Sequence, residues 1–113
     1  MIDPGLVVVS VKADGGVVVV LGGEIDLANA DSLETQIGDA IASAQEVVID
    51  LTAVEFLDSR GLRLLRRISA AVVGRHGTVE VVAPPGSIAR SVLDMTRMSD
   101  ELAVRDALPA AQD

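Results

Sequence analysis

Asp50-Leu51-Thr52-Ala53-Val54-Glu55-Phe56-Leu57-Asp58-Ser59-Arg60-Gly61-Leu62 is the stretch from which the architecture of this 113-residue chain can be worked out. It opens at the end of Glu46-Val47-Val48-Ile49-Asp50-Leu51, which reads as a strand. Three apolar residues in a row there suit a strand buried on both faces, as in a parallel sheet covered by helices. Phe56-Leu57 follows a short connection, and the turn Asp58-Ser59-Arg60-Gly61 leads into a helix over residues 62–73. At about 100° per residue, Leu64, Leu65, Ile68 and Val72 share one face with Gly61, while Arg60, Arg63 and Arg67 share the opposite face. A glycine on the buried side of a first turn predicts a close backbone approach to the sheet.

Upstream, residues 6–11 and 17–21 are Val-rich runs on either side of Ala13-Asp14-Gly15-Gly16. An Asp-Gly turn between β-branched runs predicts an antiparallel hairpin, and Gly22-Gly23 is expected to end its second strand. Ala30, Leu33, Ile37, Ala40, Ile41 and Ala44 recur at helix spacing. Asp26, Asn29 and Asp31 are candidate caps for that helix, and Asp31-x-x-Glu34 has the form of a capping box. Downstream, Gly74 and His76-Gly77 end the second helix. Residues 78–82 form a fourth strand, closed by Ala83-Pro84-Pro85-Gly86. Ser87 is a candidate N-cap for a third helix carrying Ile88, Val92 and Met95. Residues 102–104 suit a short last strand and residues 107–111 a frayed terminus. The order ββαβαβαβ predicts one α/β domain over residues 1–113: an antiparallel hairpin, largely parallel remaining strands, and helices packed on the sheet.

Composition narrows the function classes. Half the residues are apolar, yet there is no Trp, no Tyr and one Phe, so the core must be aliphatic. The longest unbroken aliphatic run, residues 17–21, is far short of the ~18 residues of a membrane span. Met1-Ile2-Asp3-Pro4 opens no signal-peptide pattern, and cytoplasm is the expected compartment. A net charge of −8 argues against nucleic acid as a partner. The cations are unevenly placed, with four of the eight arginines between Arg60 and Arg67. Such a patch suits an acidic protein surface. Zero cysteines removes thiol chemistry and Cys-zinc sites. The lone histidine, His76, reads as a solvent-facing turn residue. Gly22-Gly23 lacks the companions of a phosphate loop. No cofactor, metal site or catalytic activity is expected.

Ser59 is the residue with the most interesting chemistry. At the start of a helix it faces the positive end of the dipole and unpaired backbone N–H groups. Either Ser59 or Asp58 could simply cap the helix; alternatively, the hydroxyl could carry a phosphate, which that end of a helix tolerates.

Taken with Gly23-Glu24-Ile25-Asp26 upstream and Pro84-Pro85-Gly86 downstream, the Asp-Leu…Phe-Leu-Asp-Ser-x-Gly-Leu string resembles the STAS domain family. More narrowly, it resembles the bacterial anti-sigma factor antagonists. That resemblance implies a STAS-type mixed sheet and phosphorylation at Ser59 by a partner that is both anti-sigma factor and serine kinase. A serine phosphatase would reverse the modification. It also implies a binding surface that includes Glu24, Asp26, Asp58 and Ser59, to which the exposed arginines Arg60, Arg63 and Arg67 would add. The family often has Ser or Thr after the phosphoserine; here Arg60 stands there, leaving one hydroxyl. Two rivals exist. A response-regulator receiver with Asp50 as acceptor would need an acidic pair after the first strand and a late lysine, which this chain lacks. A non-switching STAS subunit of a transporter or lipid-trafficking complex would leave Ser59 unmodified.

Overall fold

The computed structural model describes residues 6–11, 16–26 and 29–108. A five-stranded sheet runs in the order β1 (Leu6–Val11), β2 (Val17–Ile25), β3 (Glu46–Leu57), β4 (Thr78–Val82) and β5 (Ala103–Arg105). β1 and β2 are antiparallel, from Leu6 opposite Gly22 to Val11 opposite Val17; every later pairing is parallel. Most of the Ala13–Gly16 turn lies outside the described residues, as do the terminal residues 109–111. Three helices complete the fold: α1 (Ala30–Ala40), α2 (Ser59–Gly74) and α3 (Ile88–Met95).

Val17, Val19 and Leu21 of β2, Val47, Ile49 and Leu51 of β3, and Val81 of β4 form one aliphatic core. The spacing of two puts them on a single face of the sheet. The same core takes in Leu33 and Ile37 of α1, Leu64, Leu65, Ile68 and Val72 of α2, and Ala89 and Leu93 of α3. Val48 and Val82 are also buried but stand outside that cluster, so the core forms on one side of the sheet.

β2 and β3 are both longer than their sequence predicts. Gly22-Gly23 does not end β2, and residues 52–55 are strand and not a connection. Val20 pairs with Asp50 but Ile25 pairs with Leu57, so β3 accommodates two extra residues across two register shifts. Each extra residue is a bulge. Across them the burial of β3 changes from an unbroken buried run over residues 47–51 to Leu51, Val54, Leu57, one residue in three. That rhythm no longer looks like a strand. Gly23, at the second shift, adopts φ +74°, a left-handed conformation that glycine enters at little cost. At the first shift the buried Asp50 carboxylate accepts hydrogen bonds from Thr52 N (2.9 Å) and Thr52 Oγ1 (2.5 Å).

Two helix starts and one helix face differ from expectation. α1 starts at Ala30 with Asn29 at the N-cap, so Asp31 lies in the first turn and no Asp31–Glu34 capping box forms. α2 starts at Ser59, three residues earlier than its periodicity suggested. α3 is capped by Ser87, whose Oγ accepts from Arg90 N at 3.1 Å, as its sequence predicted. It buries Ala89 and Leu93, while Ile88 and Met95 face solvent. A 3₁₀ turn over Met98–Asp100, absent from the sequence reading, leads into β5 and buries Met98.

Candidate functional site

The parallel pairing of β2 with β3 brings two distant segments to one edge. Glu24 lies opposite Phe56 and Ile25 opposite Leu57. Asp58 N donates to Ile25 O at 3.3 Å, so the strand-to-helix turn is stitched to the end of β2. Asn29 then shapes the loop that leaves β2. Its Oδ1 accepts from Asp26 N (3.0 Å) and its Nδ2 donates to Glu24 O (2.7 Å). The loop that carries Glu24 and Asp26 is therefore held next to the Asp58 turn by backbone geometry.

At the start of α2 the capping role falls to Asp58. Its Oδ1 accepts from Arg60 N (2.9 Å) and Gly61 N (3.2 Å), satisfying two of the helix's orphan donors. Ser59 occupies the first helical position with its side chain exposed, and among the described residues its hydroxyl has no hydrogen-bond partner. Behind it, Gly61 is buried against the sheet. A Cβ there would sit 2.4 Å from Leu57 Cδ1, 3.0 Å from Ile25 Cγ2 and 3.2 Å from Ile25 O. The close approach anticipated for this glycine is present.

Beside Ser59 runs a groove of about 350 Å³, walled by Ser59, Arg60, Leu62, Arg63 and Arg66 on one side and by Thr96 and Met98 on the other. Arg66, Thr96 and Met98 were not anticipated. Arg66 spans the groove's end, donating to Glu101 at 3.1 Å and to Met98 Sδ at 3.2 Å. Those contacts join residues more than 30 apart in sequence, which no local periodicity reveals. Arg67 stands apart: it pairs with Glu34 of α1 at 3.3 Å and lines a separate, smaller cleft with Gly38 and Ile41. Phe56, the one aromatic residue, is 46% exposed, beside Glu24 at the same edge.

The remaining arginines are all engaged. Arg75 binds backbone carbonyls of Ile41 and Ala44, Arg90 pairs with Asp94 and Asp106, Arg97 with Asp100, and Arg105 with Glu80. Only the side chains of Arg60 and Arg63 have neither an ion pair nor a hydrogen bond among the described residues. A free hydroxyl thus shares a groove with two free guanidinium groups. No group of three or more His, Asp or Glu residues suited to a metal ion occurs among the described residues, and no helix there is long and apolar enough to cross a membrane.

This sheet, its bulged β3 and the Asp-Ser-x-Gly turn define a STAS domain; the model of that family matches residues 8–111, and the chain belongs to it. Within the family, the chain is 44% identical over 92 residues to the anti-sigma-F factor antagonist RsfB of Mycobacterium tuberculosis, an alignment covering 80% of this chain and 74% of that one. Among solved structures, an anti-sigma factor antagonist from Mycobacterium paratuberculosis superposes with a TM-score of 0.76 at 33% identity, covering 96% of this chain and 92% of that one. The phosphorylated form of the Bacillus cell fate determinant SpoIIAA shares the fold, with a TM-score of 0.67 at 18% identity over 88% of this chain and 91% of that one.

Proposed function

We propose that this chain is an anti-sigma factor antagonist of the cytoplasm, switched by phosphorylation of Ser59. Unphosphorylated, it binds an anti-sigma factor that is also a serine kinase, and so frees the sigma factor. In the modification step Ser59 Oγ forms a bond to the γ-phosphorus of a nucleoside triphosphate held by the kinase. The β,γ-phosphoanhydride P–O bond breaks, the hydroxyl proton passes to a base on the kinase, and the nucleoside diphosphate leaves. A serine phosphatase restores the hydroxyl by hydrolysis. The chain itself is substrate and binding module, with no catalysis of its own.

The observation that carries this reading is the division of labour at the turn. Asp58 caps α2, and Ser59 is left exposed with no structural task. Glu24, Asp26, Asp58, Ser59, Arg60 and Arg63 would form the binding surface, with Phe56 as an apolar contact and Arg67 at its margin. Phosphate at Ser59 adds close to two negative charges where the helix N-terminus already favours an anion, so the domain keeps its shape. A partner packed on the turn would have to bury that charge beside the Asp58 carboxylate. An uncompensated buried charge costs several kcal/mol, roughly a hundredfold or more in affinity.

Calorimetry with the cognate anti-sigma factor tests the proposal. Ser59→Ala is expected to bind constitutively, and Ser59→Glu to bind at least about tenfold more weakly, a difference of some 1.4 kcal/mol. Both should melt near the parent temperature, because the cap belongs to Asp58. Equal binding by the two variants would refute the switch and favour a non-switching STAS subunit of a transporter or lipid-trafficking complex.

A further inference from the structure

Resting on that reading, we infer that Arg63, assisted by Arg60, binds the oxygens of the phosphate carried by Ser59 within the groove, so that modification withdraws from the partner the two cations the unmodified protein offers it. Three observations lead here. Ser59 and Arg63 are one helical turn apart, the i,i+4 spacing at which an anion nearer the N-terminus and a cation nearer the C-terminus attract most favourably. Ser59, Arg60 and Arg63 line the same groove. Finally, of the eight arginines only these two are uncommitted among the described residues; Arg66, on the same groove, is already held by Glu101 and Met98.

A guanidinium fork matches phosphate oxygens with directed N–H donors, and a doubly charged phosphate draws such donors more strongly than a carboxylate does. The clamp needs no backbone movement, because the groove and both side chains are already in place. Switching then has two components. The partner meets a new negative charge, and it loses the arginines that would have met its own acidic groups. The charged groups around the phosphate are Asp58 at the cap, Arg60 and Arg63, Arg66 with its partner Glu101, and the Glu24–Asp26 loop across the turn.

The test uses the full chain with phosphoserine incorporated at position 59 during translation, so that no kinase is needed. The phosphate's second pKa, ordinarily about 6, is read by ³¹P NMR. The clamp predicts that it lies lower by roughly 0.5 in the parent than in R63Q, with R60Q in between. The helix dipole and Asp58 are common to all three proteins and cancel. Equal values in parent, R60Q and R63Q would overturn the clamp. Calorimetry with the anti-sigma factor supplies a second, independent arm. Unmodified R63Q is expected to bind about tenfold more weakly than the parent, and phosphorylation should change its affinity by a smaller factor than it changes the parent's. If phosphorylation weakens both proteins by the same factor, the withdrawal component is wrong. If the pKa difference is present but phosphorylation leaves parent affinity unchanged, the clamp stands and the proposed switch falls.

Discussion

The two ends of α2 solve the same packing problem and differ in what they leave unpaired. At its start Gly61 lies against Leu57 and Ile25; just past its end, a Cβ on Gly77 would stand 2.6 Å from Val72 Cγ1 and 2.7 Å from Gln45 O. Both glycines are there because nothing larger fits. The polar groups are another matter. At the far end His76 N donates to Val73 O (2.9 Å) and Gly77 N to Val72 O (2.8 Å), the paired bonds of a Schellman turn. Arg75 there reaches across to carbonyls of Ile41 and Ala44 at the end of α1, where the helix dipole is negative. The backbone N–H groups of that turn and the Arg75 guanidinium are all used. At the near end the Ser59 hydroxyl and the guanidinium groups of Arg60 and Arg63 have no such partners among the described residues. Tight packing therefore does not mark a functional region in this molecule. Under the proposed function, unspent polar groups do.

The largest expected effects test the part that the two ends share. Gly61→Val and Gly77→Val should each destabilise by roughly 1–3 kcal/mol, the usual scale for overpacking. Gly77→Val should be the worse, because its wall includes the Gln45 carbonyl, fixed by Thr78 N at 2.7 Å, whereas the nearest atom at Gly61 is a Leu57 methyl. Chemical denaturation measures both. If Gly61→Val unfolds at the parent's midpoint, the close approach is not a packing constraint, and the glycine serves partner recognition instead.

Much of this contrast was legible before any fold was known. Gly61, Leu64, Leu65, Ile68 and Val72 share a face because helix periodicity is geometric, and they are the buried residues of α2. The Asp-Gly turn between Val-rich runs correctly implied that β1 and β2 are antiparallel. What failed did so for physical reasons. Two bulges gave residues 51–57 a period of three, which disguised half of β3. The Asp31–Glu34 box was a local pattern overruled by Asn29, whose side chain instead fastens Glu24 and Asp26. The site was half readable. A serine and an aspartate at a helix start can be seen in sequence; which of the two caps the helix depends on backbone direction at the turn. Arg60, Arg63 and Arg67 look alike on a helical wheel, yet Arg67 is drawn to Glu34 on a helix whose position only the tertiary fold sets.

A middling effect should separate the arginines of the two ends. Arg75→Met keeps the aliphatic stem but strips the donors from the carbonyls of Ile41 and Ala44. Hydrogen bonds to a charged group contribute about 1.5–3 kcal/mol, and partial access of water to these carbonyls reduces the expected loss to roughly 1–2 kcal/mol. Arg63→Gln, at an exposed position with no partner to lose, should stay within about 0.5 kcal/mol of the parent. Parallel urea titrations of the two variants check this. If Arg63→Gln costs as much stability as Arg75→Met, then Arg63 is a structural residue and the contrast between the ends collapses.

The smallest effect concerns His76, which holds the left-handed position of the turn with φ +67°. A left-handed backbone costs an L-residue about 1–2 kcal/mol, a penalty that glycine escapes. Glycine, in turn, loses more freedom on folding, by about 0.5–1 kcal/mol relative to alanine. The first term exceeds the second by a little, so His76→Gly should stabilise the chain by roughly 0.5 kcal/mol and raise the melting temperature by about 2–4 °C. The side chain is exposed and makes no hydrogen bond among the described residues, so its removal takes nothing away. Partner affinity should be untouched, since the turn lies at the opposite end of α2 from Ser59. A fall in melting temperature would mean that the imidazole contributes a contact there. A fall in affinity would mean that the partner's footprint extends the length of the helix and that the division between its two ends is not the functional one.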